Sequence, residues 1–438
     1  MRDIVIFALV FGMIPMMLKR PAIGALVFMW LSLMNPHRLA YGAAYNFPFA
    51  AVVGGVTLLA VLFTKEQRKY PLTPVTVLLV LFAVWMTITS FFGLNPAVWT
   101  EWDRVTKTLL MVMVTILVIS TESDLKKLVW ILGLSLAFYG TKGGIFTLMS
   151  GGSYRVWGPD GSYIAENNSL ALALVMTVPI VWYLRLQAER RWLRHLMEVV
   201  AVLCVISAAG SYSRGALLGG IAMIGLLWLK SRNKLSTGLI MLALIPIVLI
   251  AMPDQWSERM AGISNYQQDG SALGRINAWH FAVNIANRNP LGGGFLAFSP
   301  TLFQIYAPNP LDYHVAHSIY FQVLGEHGYV GLALFLLLLF ATWRAASGII
   351  KSCREQPDLK WASDLAAMCQ VSMVGFMVGG AFLSLAYYDY FYYVIAALMI
   401  TQKVLTAQRT PAVQKQPVKA PMVRKAGTAL TTEKIHAR

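Results

Sequence analysis

The sequence predicts an all-α protein that crosses a membrane many times. Of 438 residues, 57% are hydrophobic and only 13% are charged, whereas soluble domains are nearer a quarter charged. Mean hydropathy is +0.59, and the apolar residues fall in repeated runs near the ~20 residues that span a bilayer as a helix. Between the runs, segments rich in Lys and Arg alternate with segments poor in them, the pattern left by the positive-inside rule. Backbone in lipid must satisfy its own hydrogen bonds, so runs of this length are read as helices.

Taken in order, the runs fall at about 3–18, 22–34, 48–64, 74–92, 105–120, 126–148, 168–186, 194–211, 215–229, 236–252, 318–343, 364–385 and 389–406. The first two are short for a ~30 Å core, and Lys19-Arg20-Pro21 lies between them. Counted separately they give thirteen spans and an outside N-terminus; merged into one broken element they give twelve, with both ends inside. The merged reading, about 12 transmembrane helices, is adopted here. No small-residue cleavage site follows the first run, which therefore reads as a retained span.

The basic segments are KEQRK at 65–69, Lys126-Lys127, RLQAERRWLR at 185–194, KSRNK at 230–234, and 344–360. Placing all of them inside puts the segments at 96–104, 151–166, 211–214, 253–317 and 387–389 outside. The chain then divides into an N-terminal transmembrane bundle over 1–252, one large outer loop with short helices over 253–317, and C-terminal transmembrane helices over 318–407. A disordered basic tail over 408–438, predicted to be cytoplasmic, completes it.

The net charge of +16 follows from orientation signals and the tail, so membrane lipids and not nucleic acid are the expected partners. The three cysteines, Cys204, Cys353 and Cys369, have no metal spacing and no evident pairing. No Walker A sequence or His-Glu-x-x-His pair occurs. The absence of paired broken helices in two matching halves argues against a secondary transporter.

Candidate chemistry clusters on the predicted outer side. Ser211-Tyr212-Ser213-Arg214-Gly215 forms a tight turn with Arg214 at a helix start, where free N–H groups and the helix dipole favour an anion. An interfacial Arg that snorkels to headgroups is the alternative. In the large loop, a helix is predicted from about Ser271, carrying Arg275 in its first turn and Arg288 near its end, before Asn289-Pro290 and the glycine run 292–294. His314 and His317 precede the apolar run at 319. They could share a metal only with a third ligand that no nearby carboxylate supplies, whereas a single His at the membrane edge suits a general base. Asp389, in the last outer turn, could orient that imidazole. Glu326 lies inside a span, and a hydrogen bond to a neighbouring helix is the expected reason. Asn167-Asn168-Ser169 matches a glycosylation pattern but is discounted at a helix start.

Four stretches in order resemble the O-antigen ligase and polymerase superfamily of bacterial inner-membrane enzymes. They are Ser213-Arg214-Gly215-Ala216; Gly274-Arg275 followed by Trp279; Asn289-Pro290-Leu291-Gly292-Gly293-Gly294-Phe295; and the stretch from His317-Ser318 through Glu326-His327-Gly328 to Gly331. The resemblance covers about residues 165–345 and is greatest to O-antigen ligases, with a likeness to ligases of exosortase-associated systems. It implies a membrane-embedded, C-class glycosyltransferase-like fold and an active site on the periplasmic side. It also implies transfer of a glycan from undecaprenyl pyrophosphate to a lipid A-core acceptor sugar. Arg214 and Arg275 match the family's pyrophosphate-side arginines and His317 its catalytic His; Ser318 stands where Asn is common. Ser213 and Arg288 are grouped with the donor-binding residues. Asp389 comes from topology and not from a motif.

The expected chemistry is inverting, metal-independent and without a cofactor: His317 takes the acceptor proton while two guanidiniums stabilise the leaving pyrophosphate. The rivals are an O-antigen or exopolysaccharide polymerase, which usually has a second basic periplasmic loop, a protein O-oligosaccharyltransferase, and a lipid-linked sugar flippase. The segment 150–166 holds only Arg155, which favours the ligase. A flippase would carry charges deep along a pathway.

Overall fold

The computed structural model describes residues 2–65, 68–230, 233–235, 238, 239, 256 and 270–414, with side chains to 408. The predicted run at 236–252, most of the first part of the large loop and the predicted tail beyond 414 lie outside the described residues. All regular structure among the described residues is helical. Helices α1 (Arg2–Lys19), α2 (Pro21–Met34), α3 (Phe49–Phe63), α4 (Pro74–Phe91), α5 (Val98–Val118) and α6 (Glu122–Met149) form the first part. Helices α7 (Asn167–Gln187), α8 (Arg191–Gly210) and α9 (Arg214–Lys230) follow. Then come α10 (Gly270–Arg288), the short α11 (Pro300–Tyr306), α12 (Ile319–Cys353), α13 (Lys360–Gly379) and α14 (Asp389–Gln414).

Among the described residues, seven helical segments are long and apolar enough to cross a membrane: α4, α6, α7, α8, α12, the stretch containing α13, and α14. Their outward faces carry exposed apolar side chains such as Val84, Val202 and Phe340, which suits lipid and not water. The last helix is the exception. Residues 390–400 of α14 are fully buried, packed against α2, α5, α6, α12 and α13. Lys403, near its far end, donates to the carbonyls of Ile116, Leu117 and Ile119 at 3.1, 2.8 and 3.1 Å. It thereby satisfies the open C-terminal carbonyls of α5.

Polar contacts tie the helix ends together at both ends of the bundle. At one end, Arg20 pairs with Asp124 at 2.7 Å, Asp124 also holds Lys127 at 2.9 Å, and Gln408 reaches Glu122 at 3.3 Å. At the other end the Asp3 carboxylate accepts from Gly42 N and Ala44 N, and Arg2 donates to Leu39 O.

Those last bonds overturn the merged reading of the N-terminus. Arg20 has extended backbone (φ −142°) between two separate helices, and the start of α1 returns beside the residues that follow α2. The pair is a hairpin, not one broken span. Pro21 at the first position of α2 has no N–H to continue α1, and its ring disfavours helix at Arg20.

Long helix α12 is broken inside. Gly328 has φ +66° and ψ −170°, which frees carbonyls of the preceding turn. The glycine run of the large loop fills them: Gly293 N donates to Gly325 O at 2.9 Å and Gly294 N to Glu326 O at 2.8 Å. A side chain at Gly328 would put its Cβ 2.1 Å from Pro290 O, and one at Gly292 would sit 2.6 Å from Glu326 O. Broken helices are tolerated in a membrane only where such partners are supplied. Two of the sequence motifs are therefore halves of one backbone junction. It is sealed by Trp85, which donates to His327 O at 2.9 Å, and by Thr89 on His327 Nδ1 at 2.7 Å.

Candidate active site

Helices α9 and α13 approach closely through glycines spaced one turn apart on each. A Cβ at Gly219 would lie 3.0 Å from Gly375 O, and one at Gly379 would lie 3.2 Å from Gly215 O. Small residues at i and i+4 on both partners are the usual means of close approach between membrane helices. The contact brings the start of α9 beside Phe382, which follows α13: a Cβ at Gly215 would lie 3.2 Å from Phe382 Cβ.

The turn leading into α9 is held rigidly. Tyr212 takes φ +59°, and its hydroxyl donates to Gly152 O at 2.6 Å. Asn167 at the start of α7 donates to Ser211 O at 2.7 Å. Ser213 is buried, and its Oγ accepts from Ala216 N at 3.3 Å, capping α9.

The start of α10 comes to the same place. Asn168, Ser213, Arg214, Gly215, Ser271, Arg275, Phe382 and Leu383 line one cavity of about 90 Å³. Ser271, the expected cap, lies within α10, whose described residues run from Gly270. Ligand sites for whole small molecules run to roughly 300–1,000 Å³. This one accepts a phosphate-sized group and leaves any larger attached part outside.

The chain returning from α11 is pinned across α10. Asn277 Nδ2 donates to Asn309 O and Asp312 O, both at 2.9 Å, and Trp279 Nε1 donates to Ala316 O at 2.9 Å. The Trp279 ring also stacks on Phe321, centroids 5.0 Å apart. This brings His317 beside the cavity, where its backbone N–H donates to Ser384 Oγ at 2.7 Å, one residue past Leu383. His317 has φ +43°, uncommon for a side-chain-bearing residue. Burial, then Arg275, then His314 push its imidazole down from the usual 6.5 to about 4. The ring is neutral at pH 7, with an open nitrogen lone pair for a proton.

Two expected roles change. Arg288 is at the opposite end of α10 from Arg275, roughly 20 Å along the axis at 1.5 Å per residue. It donates to Ile305 O at 3.4 Å and lies over the Tyr306 ring, so it is not part of the arginine cavity. Asp389 does not orient His317. Its Oδ2 accepts from Ser32 Oγ on α2, while Oδ1 has no hydrogen-bond partner. The turns at 383–388 send Tyr387 toward α12 and Asp389 toward α2 instead. Glu326 is structural, as expected, although its partners lie on loops: it accepts from Tyr387 Oη at 2.6 Å and from Leu296 N at 3.1 Å.

His314 stays at the rim. Its ring covers Gly274, and it lies 3.6 Å from Asp312 Oδ1. No group of three or more His, Cys, Asp or Glu side chains is placed to share a metal among the described residues. Asn167 is buried and serves as a brace for Ser211. Sequence reasoning missed Asn168 and Ser384, which no motif marks. It also missed the paired Gly-x-x-x-Gly spacing at 215–219 and 375–379, which is visible in the sequence.

Residues 199–336 match a family model described as O-Antigen ligase. Residues 1–189 match a family of unknown function. Among curated proteins, none matches the chain.

Proposed function

We propose that this chain, whose residues 199–336 match the O-Antigen ligase family model, transfers a glycan from undecaprenyl pyrophosphate to a lipid A-core acceptor sugar at the periplasmic face of a bacterial inner membrane. The observation that carries the reading is the convergence of Arg214 and Arg275 on one small cavity with His317 beside it. Two fixed guanidiniums supply forked, charge-assisted hydrogen bonds to a pyrophosphate. Those bonds strengthen as the leaving group gains charge, which is the condition for lowering the barrier.

In this reading the acceptor hydroxyl attacks the anomeric carbon while His317 takes its proton. The bond from that carbon to the pyrophosphate oxygen breaks, and the configuration inverts. The His317 proton is then released to solvent. Donor binding also tunes the base. A pyrophosphate set on Arg275 offsets one of the charges that hold the imidazole down, so His317 becomes more basic when its substrate arrives.

Purified protein in detergent, given lipid-linked glycan and lipid A-core, should form the joined product in excess EDTA. A requirement for added Mg²⁺ or Mn²⁺ would show that the arginines do not suffice. In a deletion strain, full-length glycan left on its lipid carrier identifies a ligase, while a single repeat unit left there identifies a polymerase.

A further inference from the structure

A second chamber, of about 740 Å³, lies between α2, α3, α5 and the loop at 161–164. Its polar wall carries Arg38, Arg104, Tyr388 and Asp389, and its apolar wall includes Phe28 and Leu58. Two buried acceptors in that polar wall are unanswered. Asp389 and Tyr388 are each 2% exposed, and Asp389 Oδ1 and the Tyr388 hydroxyl have no hydrogen-bond partner. A buried carboxylate oxygen left open is costly, so a donor group is expected against it.

Arg38 and Arg104 supply the cationic charge of the chamber. Arg38 lies over the Tyr45 ring at 4.7 Å and reaches Asn46 at 3.5 Å. Arg104 lies over Tyr163 at 3.5 Å, with Glu101 at 3.7 Å. Lys107 is already paired with Asp103 at 2.6 Å. His37, held down to about 4 by burial and by Arg38, adds no charge at neutral pH. A third feature extends the chamber. An apolar groove of about 590 Å³ runs along α4 and α5 past Val84, Ile88 and Met113, and it shares Asp103, Lys107 and Leu110 with the chamber.

We infer that the chamber binds a phospholipid whose headgroup carries a hydrogen-bond donor beyond its phosphate, with one acyl chain lying along the α4–α5 groove. The phosphate faces Arg38 and Arg104, the headgroup donor meets Asp389 Oδ1, and the chain covers the groove. An ethanolamine headgroup supplies both charges; a choline headgroup has the same phosphate but no donor. The inference stands apart from glycan transfer, because none of these residues lines the arginine cavity.

The test is lipid retention on the purified full-length protein, followed by native mass spectrometry and by competition with a fluorescent phospholipid. Phosphatidylethanolamine is expected to bind at least about tenfold more tightly than phosphatidylcholine of the same chains, as the loss of one charge-assisted hydrogen bond implies. Asp389→Asn and Arg38→Ala should each weaken ethanolamine lipid about tenfold, while Arg275→Ala leaves it unchanged whatever happens to transfer. Equal binding of the two lipids by unaltered protein overturns the inference without recourse to any variant. So does displacement of the phospholipid by equimolar undecaprenyl pyrophosphate, which would assign the chamber to the substrate.

Discussion

If His317 is the base, the structure sets where transfer should fail in acid. An ordinary histidine, near 6.5, is about nine-tenths protonated at pH 5.5, and a reaction that needs it neutral falls about tenfold. His317 is held at about 4 by burial, Arg275 and His314, so at pH 5.5 it stays almost wholly neutral and kcat/KM should stay within ~10% of its plateau. The limb of kcat/KM reports the free enzyme and that of kcat the donor complex. The kcat limb should therefore lie higher, because bound pyrophosphate offsets Arg275. The perturbation is Arg275→Gln, which removes the second cause but not burial; its kcat/KM limb should rise yet stay below 6.5. Arg275→Lys keeps the charge and should keep the limb. Initial rates of glycan transfer between pH 4 and 8 give both profiles. Thermal unfolding must be recorded on the same series. A histidine with a depressed folded value favours the native state fully above 6.5, and that contribution is lost as pH falls from 6.5 towards 4. A wild-type kcat/KM limb near 6.5 on folded protein would refute the assignment of His317 or its coupling to Arg275.

Four further outcomes follow from the geometry. His317→Ala should lower turnover by ~10²–10⁴ with donor affinity nearly intact, while His314→Ala, at the rim, should be mild; the reverse order in a paired turnover and binding assay would move the base one turn earlier. Arg214→Ala and Arg275→Ala should weaken both donor binding and turnover, with Lys rescuing only in part because a point charge lacks the fork. Gly328→Ala should lower thermal stability in detergent by roughly 3 kcal/mol or more, from backbone strain and the clash with Pro290 O, while Gly220→Ala, whose Cβ would meet nothing within 4 Å, should cost nothing. An N-terminal tag should be reached by protease from the periplasm, as should a fusion near residue 267, while fusions after Asn233 and Gln408 report cytoplasm; a cytoplasmic tag would contradict the α1–α2 hairpin.

Much of this was legible in the sequence, because it rests on local chemistry. Span length depends on the bilayer alone, and several of the apolar runs are helices long enough to cross it. Arg214 and Arg275 could be singled out because each falls in a short stretch, Ser213-Arg214-Gly215-Ala216 and Gly274-Arg275 before Trp279, that carries the family resemblance. What the sequence could not show is where a chain goes after it turns. Asp389 lies in the expected outer turn, but a few residues of irregular backbone face it toward Ser32 instead of His317. Arg288 shares a helix with Arg275, and the helical rise alone removes it from the site. The hairpin of α1 and α2 was misread because two short apolar runs carry no sign of folding back on each other; the evidence lies in Asp3, whose partners at 42 and 44 are distant in sequence. The glycine run looked like a turn. Its actual partner is the break at Gly328, and only a tertiary contact shows that the two belong together.

The placement of three chain turns explains why this cavity suits an anion without help from deeper charges. The cavity is lined by Arg214 at the start of α9 and by Ser271 and Arg275 of α10, and α12 starts at Ile319, two residues after His317. A helix start carries about half a positive charge from its aligned peptide dipoles, so the arginine charges add to the field of the helices. That field is fixed before any substrate arrives and costs no reorganisation during the reaction. It also accounts for the backbone strain. Tyr212 and His317 both hold φ in the left-handed region, and each stands within two residues of a helix start that faces the cavity. A sharp turn at those two points lets a helix begin at the membrane edge with its N–H groups directed inward. The strain persists because Asn167, Gly152 and Ser384 tie the turns down, and a site built this way needs its second ring of bonds as much as its arginines.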